Sequence, residues 1–175
     1  MKKLKGEKPG IRFSNFKDLW DYKQLSYFLT ESKKLNHDLE YNKNKVLSVS
    51  GEFGIVNQIK HLGRSYAGKS VHNYNIVEIN DIVYTKRPLK NNPYGIIKMN
   101  KGDAGIVSTL YAVYKTKNDK ILGSFLEYYF LLNEHVNGYL KPLVKKGAKN
   151  TMQINNAEVL KGGIFIPTIE EQNKI

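Results

Sequence analysis

Cysteine is absent from the 175-residue sequence. This excludes thiolate zinc sites, iron–sulfur clusters and thiol catalysis, and a secreted fold held by disulfides is not expected. Long hydrophobic runs are also missing, since no stretch of about 18 apolar residues occurs that could span a membrane. The N-terminus is basic but lacks the apolar stretch of a signal peptide. We therefore expect a cytoplasmic domain with no membrane association.

Motifs of catalysis are missing as well. The sequence contains no nucleophile elbow, phosphate-binding loop or glycine-rich dinucleotide motif. No two of its four histidines have a metal-ligand spacing, and we interpret each as a surface or loop residue. Asn91-Asn92-Pro93-Tyr94 departs from the amino-methyltransferase motif it partly matches, and we interpret it as a turn. We expect a non-enzymatic chain without a metal or cofactor of its own.

Acidic residues are scarce. The chain has 28 lysines and arginines against 16 acidic residues, which gives a net charge of +12. Such an excess attracts polyanions, of which nucleic acid is the commonest. Arginine is rare, since only Arg12, Arg64 and Arg87 occur. An AT-rich genome would also enrich lysine and asparagine, so the charge favours nucleic-acid binding without establishing it.

The middle of the chain has the pattern of short strands. Segments rich in β-branched and aromatic residues are separated by Gly, Asn, Asp and Pro. These predicted strands are residues 46–49, 76–79, 82–84, 95–99 and 106–114. The intervening residues 51–75 are polar, and we interpret them as a long loop.

Helices are predicted from residue 124 onward. Ser124-x-x-Glu127 has the spacing of a capping box, and an apolar face continues to Leu140. Asn155 is a possible cap for a second helix over residues 155–160, followed by a strand at 164–166. Thr168-x-x-Glu171 repeats the capping-box spacing. The predicted fold class is α+β: a twisted mixed or antiparallel sheet with helices packed on it.

Three segments combine residue types that contact DNA. Phosphates are bound by Lys, Arg, Tyr and Ser, and base edges by Arg, Asn, Gln and Lys. The candidates are Arg64, Ser65, Tyr66, Lys69 and Asn73 in residues 60–75; Lys86, Arg87, Lys90, Asn92 and Tyr94 in residues 85–94; and Lys145, Lys146, Lys149, Asn150 and Gln153 in residues 145–153. We expect loops at one edge of the sheet, together with residues 145–153, to form the DNA-binding face.

Three motifs resemble a known family. They are Pro9-x-x-Arg12-Phe13-x-x-Phe16-x-x-x-Trp20; Asp81-Ile82-Val83-Tyr84 with the later Gly105-Ile106-Val107-Ser108-Thr109; and Ile164-Phe165-Ile166-Pro167-x-x-x-Glu171-Gln172-x-Lys174-Ile175. Together they resemble the target recognition domains in specificity subunits of type I restriction–modification systems, over nearly the whole chain.

The resemblance implies that DNA recognition and catalysis belong to different subunits. A full specificity subunit joins two recognition domains by long antiparallel helices, and each domain reads half of a split DNA target through the major groove. Residues 1–167 would be one such domain and 168–175 the start of a long spacer helix. A second recognition domain, or dimerisation through this helix, would complete the subunit. Methyltransferase and restriction subunits would supply the chemistry, with S-adenosylmethionine, ATP and magnesium.

Two other functions remain open from the sequence. The chain could be the recognition region of a DNA methyltransferase, or a methyltransferase itself, which a cofactor-binding titration would reveal. It could also be an RNA-binding or protein-interaction module. Competition between duplex DNA and single-stranded RNA separates that alternative from DNA recognition.

Overall fold

The structure is a computed structural model that describes Gly6 and residues 9–10, 12–117, 119–146 and 152–175. The strands are β1 Asp21–Gln24, β2 Leu29–Glu31, β3 Leu47–Ser50, β4 Gly54–Asn57, β5 Asn75–Val77, β6 Ile82–Thr85, β7 Ile97–Met99, β8 Gly105–Val107, β9 Tyr111–Thr116, β10 Lys145–Lys146, β11 Met152–Gln153 and β12 Gly163–Ile166. The α-helices are α1 Gln58–Leu62, α2 Gly123–Tyr129, α3 Asn133–Leu140, α4 Asn156–Val159 and α5 Ile169–Gln172. Leu25–Tyr27 and Lys43–Lys45 form single 3-10 turns.

A four-stranded antiparallel sheet with the order β2-β9-β6-β7 occupies the centre of the fold. Four two-stranded antiparallel ladders surround it: β1 with β12, β3 with β4, β5 with β8, and β10 with β11. The helices lie in the second half of the chain, apart from α1. The predicted α+β class is therefore confirmed.

The two faces of the central sheet pack into different cores. Because side chains alternate along a strand, Tyr84 and Tyr114 face the helices while Val83 and Val113 face the outer strands. The helix side also holds Leu126 and further residues of α2, α3 and α4. Both faces are buried, which explains why β6 is an unbroken apolar run rather than an alternating one.

The predicted strand over residues 106–114 is wrong in its extent, because two strands occupy it. β8 pairs with β5, whereas β9 pairs with β2 and β6 in the central sheet. Ser108, Thr109 and Leu110 turn the chain between them, and the Tyr111 amide donates to the Ser108 carbonyl at 3.0 Å. The apolar pattern continues across this turn because both strands contribute to the same buried layer.

The single helix predicted over residues 124–140 is also wrong, since α2 and α3 are separate. Leu122 is the residue that caps α2, and no side chain caps that end. Glu127 instead forms an ion pair with Lys101 at 2.5 Å. Leu132, which lies inside the predicted helix, caps α3 and is 58% exposed. A capping-box spacing alone does not determine where a helix begins, since Ser124 lies inside α2 and Glu127 pairs with Lys101.

Two smaller predictions also change. The predicted long loop over residues 51–75 contains β4 and α1, so only its second half lacks regular structure. The Asn155 side chain makes no capping hydrogen bond to α4.

The C-terminal helix begins where the sequence predicts. The Thr168 hydroxyl accepts a hydrogen bond from the Glu171 amide at 3.4 Å. The structure shows α5 as a single turn ending at Gln172, so the long spacer helix is not confirmed. Glu171 and Gln172 are buried against the rest of the fold. The boundary at residue 167 stays a prediction. None of the helices in the described residues is long and apolar enough to cross a membrane.

Candidate nucleic-acid interface

Three loops meet at one edge of the central sheet. β6 ends there at Thr85, directly opposite Tyr111, where β9 begins. The Lys86 amide donates to the Leu110 carbonyl at 3.0 Å, which joins the 86–95 loop to the 108–110 turn. The Asn75 side chain donates to the Tyr111 carbonyl at 3.3 Å, which brings the end of the 60–75 loop to the same place. We call this region, formed by these three loops, the basic edge.

The 86–95 loop is a compact structure that returns to its starting point. Leu89 and Asn92 exchange backbone hydrogen bonds at 3.0 and 3.1 Å, and the Gly95 amide donates to the Asn92 carbonyl. Gly95 has a φ of 89°, which favours glycine. A Cβ atom at this position would collide with the carbonyl oxygen of Thr85. The close return of the loop therefore depends on this glycine.

Helix α3 holds the loop from the side. Asn92 is 7% exposed and donates to Asn133 Oδ1 at 2.9 Å, while Asn137 donates to the Asn91 carbonyl at 3.0 Å. The carbonyl of half-buried Tyr94 accepts from the buried Tyr84 hydroxyl at 2.8 Å. The structure thus places Asn92 and Tyr94, both predicted as DNA contacts, in the support of the loop. Arg87 and Lys90 remain exposed on it.

A cavity of about 550 Å³ joins the first two predicted segments. Arg87 from the 86–95 loop and Tyr66 from the 60–75 loop both line it, together with Gln58 and Ser108. The Arg64 guanidinium lies over the Tyr66 ring, 4.7 Å from its centroid. Arg64, Tyr66 and Arg87 are therefore brought together although 23 residues separate the first from the last.

Gln58 also lines this cavity, although it lies outside the three segments predicted from the sequence. Its side chain donates to Ser48 Oγ at 2.7 Å and accepts from the Tyr66 amide at 2.8 Å, which fixes the position of the 60–75 loop. The sequence does contain a signal for helix α1, which begins at Gln58. Asn57 caps α1 by accepting from two backbone amides, and Gly63 ends the helix with a φ of 74°. A capping asparagine followed by a glycine six residues later indicates a short helix.

The cations at the basic edge form no ion pair with any carboxylate of the described residues. Across the residues that the structure describes, no carboxylate lies within 4.0 Å of the charged nitrogens of Arg64, Lys69, Lys86, Arg87 or Lys90. Lys86 is half-buried, and its ammonium donates to the Thr109 carbonyl at 3.4 Å.

Burial also acts on the charge of Lys86. It lowers the pKa of the ammonium, and the negative charge of Glu31 opposes the shift. An anion bound at this edge would stabilise the charged form of Lys86.

The remaining described candidates do not line this cavity. Ser65 is half-buried and its hydroxyl accepts from the Ala67 amide at 3.3 Å, while Lys69 and Asn73 are exposed. Lys145 and Gln153 face each other across the β10–β11 ladder, and both are exposed.

The segment that follows β11 contacts the carboxylate that acts on Lys86. Asn156, three residues after β11, donates to Glu31 Oε1 at 2.7 Å, and Glu31 is the carboxylate that acts on Lys86. Lys149 and Asn150 lie outside the described residues, and only the backbone of Lys146 is described.

Two of the three sequence motifs meet in the structure. Arg12 donates two hydrogen bonds to the Glu171 carboxylate at 2.7 and 2.6 Å, and the Glu171 side chain is 1% exposed. Gln172 accepts from the Leu122 amide and donates to the Lys120 and Pro167 carbonyls. These residues close the two ends of the chain against each other, beside the β1–β12 ladder. Their role in the motif is therefore architectural.

The fold is similar to that of two solved structures. One is the HsdS subunit from Thermoanaerobacter tengcongensis, with a TM-score of 0.52 and 15% identity over 97% of this chain. The other is a structure described as the basis of complex assembly and conformational transition of the type I R-M system. Its TM-score is 0.53, with 14% identity over 97% of this chain. This chain covers 38% of the length of each. No protein-family model and no curated protein matches the sequence. The resemblance inferred from the motifs is thus confirmed at the level of the fold.

Proposed function

We propose that this chain recognises a short sequence in double-stranded DNA, as a target recognition domain of a type I restriction–modification specificity subunit. The basic edge carries the proposal, because Arg87 and Tyr66 line one cavity there and Arg64 lies over Tyr66, with no described carboxylate within 4.0 Å of either arginine. The likeness in fold to an HsdS subunit supports the same assignment.

Arg87 is the side chain best suited to read a base. It is exposed at the end of a buried strand, and the loop that carries it is held by α3 and by Gly95. A guanidinium can donate two parallel hydrogen bonds to the O6 and N7 atoms of guanine in the major groove. Rigid support favours base reading because less conformational entropy is lost on binding.

The surrounding cations are suited to phosphate contacts. Lys90 and Lys69 are exposed point charges on the two loops. Half-buried Lys86 lies where the 86–95 loop begins. Phosphate contacts position a protein on the duplex without reading its sequence. We assign the same role to Ser65, Asn73 and the β10–β11 hairpin, with Lys145, Lys146, Lys149, Asn150 and Gln153. Asn92 and Tyr94 act by supporting the loop.

The chain would read one half of a bipartite target and would carry out no chemistry itself. Methyltransferase and restriction subunits would supply catalysis, and S-adenosylmethionine, ATP and magnesium would bind to them. The chain spans 38% of the HsdS subunit to which its fold is similar, which fits one of two recognition halves. A second recognition domain or a second copy would read the other half.

Selection from a randomised duplex DNA library at moderate salt tests this function. Enrichment of one short motif would support sequence-specific recognition and identify the half-site. Retention that falls with salt but enriches no motif would restrict the basic edge to phosphate contacts. Preferential binding of single-stranded RNA in competition with the duplex would overturn the proposal.

Two substitutions of Arg87 separate base reading from phosphate binding. Arg87→Ala should weaken binding to the selected motif by about 10- to 100-fold and relax discrimination at one base pair. Arg87→Lys keeps the charge but loses the paired donors, so discrimination should still fall while the salt dependence stays nearly unchanged. An equal loss of affinity for all sequences in both variants would instead assign Arg87 to a phosphate.

A further inference from the structure

Two histidines that are 35 residues apart in the sequence meet beside the 60–75 loop. The Nδ1 atoms of His37 and His72 lie 3.2 Å apart, and their ring centroids are separated by 4.5 Å. Asn73 Oδ1 lies 3.1 Å from the same Nδ1 atom of His72. Two atoms that can offer a lone pair, His37 Nδ1 and Asn73 Oδ1, therefore lie within 3.2 Å of His72 Nδ1 at the surface.

Hydrogen bonding alone does not satisfy this arrangement well. An imidazole nitrogen offers either one proton or one lone pair, so His72 Nδ1 can form one good hydrogen bond. That bond goes to His37 Nδ1 or to Asn73 Oδ1, and the other neighbour is left without it. A cation between the three atoms would satisfy all of their lone pairs at once.

The spacing of the two nitrogens fits a metal ion. With zinc–nitrogen bonds of about 2.0–2.1 Å, two ligands of a tetrahedral ion lie about 3.3 Å apart. The observed separation is 3.2 Å. Imidazole nitrogen is a common ligand of zinc and other late divalent transition metals. Within the described residues no group of three His, Asp or Glu side chains could hold a metal. The present site differs from such a group, because it combines two imidazoles with one amide oxygen.

Hydrogen bonds of buried Asn36 hold the backbone segments that carry the two histidines. Asn36 is 1% exposed, and its side chain donates to the Val71 carbonyl at 3.2 Å and to the Tyr41 carbonyl at 2.8 Å. The Asn36 amide donates to the Tyr74 carbonyl at 2.9 Å, and the Asn36 side chain accepts from the Tyr41 amide. His37 follows Asn36 directly, and His72 follows Val71 directly. The backbone is thus held by Asn36 immediately before each of the two histidines.

We propose that His37 Nδ1, His72 Nδ1 and Asn73 Oδ1 bind a divalent transition-metal ion of the zinc class, with water completing the coordination. The site is structural, because it joins residues 36–41 to the 71–74 end of the 60–75 loop. It goes beyond the proposed function and does not depend on it, since neither histidine is among the residues assigned to DNA, and Asn73 is the one donor shared with that assignment.

Titration with Zn²⁺ alone tests the site, using protein without a polyhistidine tag and a chromophoric chelator as competitor. One equivalent should bind. His37→Ala and His72→Ala should each weaken the affinity by at least about 10-fold, whereas His61→Ala, which removes another exposed histidine, should not. Far-UV circular dichroism establishes that each variant is folded, and His37→Gln and His72→Gln serve where an alanine variant is not.

A gain of affinity gives a sharper test than a loss. Asn73→Asp replaces an amide oxygen with a carboxylate and should tighten Zn²⁺ binding by about 10-fold, because the ligand becomes charged. Bound Zn²⁺ should also slow amide hydrogen exchange in residues 36–41 and 71–74. Absence of saturable binding, or equal effects of the His61 and His72 variants, would overturn the proposal. So would wild-type affinity in both the His37 and the His72 variants.

Discussion

The two ends of the central sheet hold their positive charges in different ways. At the end where β6 begins, Glu78 pairs with Lys115 and with Lys34, the latter at 3.2 Å, and Asp103 lies 3.8 Å from Lys45. Lys101 follows β7 at the same end and pairs with Glu127 at 2.5 Å. We call this end the ion-paired edge. At the basic edge, where β6 finishes, the described carboxylates lie more than 4.0 Å from the charged nitrogens of Arg64, Arg87 and Lys90.

The difference shows which charges are available to a ligand. A lysine that already pairs with a carboxylate must give up that contact before it binds a phosphate, so its net gain is small. An arginine without an acidic partner releases only water and counterions. The net charge of +12 is therefore a poor measure of where DNA would bind, because only part of it is free to act.

The largest expected effect comes from removing the same charge from each edge. A triple variant of the basic edge, Arg64→Gln with Arg87→Gln and Lys90→Gln, should weaken duplex DNA binding by about 100-fold or more. The matched variant of the ion-paired edge, Lys34→Gln with Lys45→Gln and Lys101→Gln, should weaken it by less than about 5-fold, through long-range attraction alone. Fluorescence anisotropy with one labelled duplex measures both. Equal losses would remove the distinction between the edges.

The second expected effect concerns the geometry of the basic edge. Gly95→Ala places a methyl group against the Thr85 carbonyl and forces a φ of 89° on alanine, so the 86–95 loop must shift. We expect a loss of about 1–3 kcal/mol in the free energy of unfolding, together with weaker DNA binding. Gly68→Ala is the control, because a Cβ atom there has nothing within 4 Å. Denaturant unfolding and anisotropy should both leave the Gly68 variant near wild type.

The third comparison sets a buried ion pair against an exposed one. Glu171→Gln leaves the Arg12 guanidinium without its buried carboxylate, and we expect the Tm to fall by about 5–10 °C. Glu78→Gln makes the same chemical change at the ion-paired edge, where both partners are exposed, and should lower the Tm by about 1 °C or less. Calorimetry of the two variants measures the difference. Similar Tm values would contradict the importance given to the Arg12–Glu171 pair.

The smallest effect is a pH dependence of the ion-paired edge. Hydrogen bonds from Lys115 and Lys34 hold the pKa of Glu78 below its ordinary value of 4.5. Since the folded-state pKa is lowered, this stabilisation is present above pH 4.5 and is lost as the pH falls through the folded-state pKa. The difference in Tm between wild type and Glu78→Gln should therefore shrink below about pH 4. A constant difference between pH 3 and 7 would assign it to another cause.

Local patterns predicted the strands better than the helices. β6 was predicted over residues 82–84, and the structure extends it by one residue to Thr85. A buried run of β-branched residues bounded by polar turns has few alternatives. The helix over residues 124–140 was wrong, because the apolar spacing continued across the break between α2 and α3. Periodicity reports which side chains can share a face and does not report where the backbone bends.

The candidate site was also predicted only in part from the sequence. The sequence identified Arg87 and Tyr66 as separate members of two loops, and residue chemistry was sufficient for that. It also selected Asn92, which is buried and supports the loop, and it missed Gln58, which fixes Tyr66. An asparagine in a turn has the same sequence signature whether it faces solvent or a neighbouring helix.

The sequence by itself determined the composition of this protein's chemistry: abundant positive charge, no thiols, a strand-rich centre and the Thr168 cap of the last helix. The tertiary structure alone decided which of those groups act together. It placed Arg87 and Tyr66 around one cavity, Arg12 beside Glu171, and His37 beside His72. The physical reason is the range of the interactions. Caps and alternating patterns involve neighbours a few residues apart, whereas these pairs form only when strand pairing brings distant segments of the chain together.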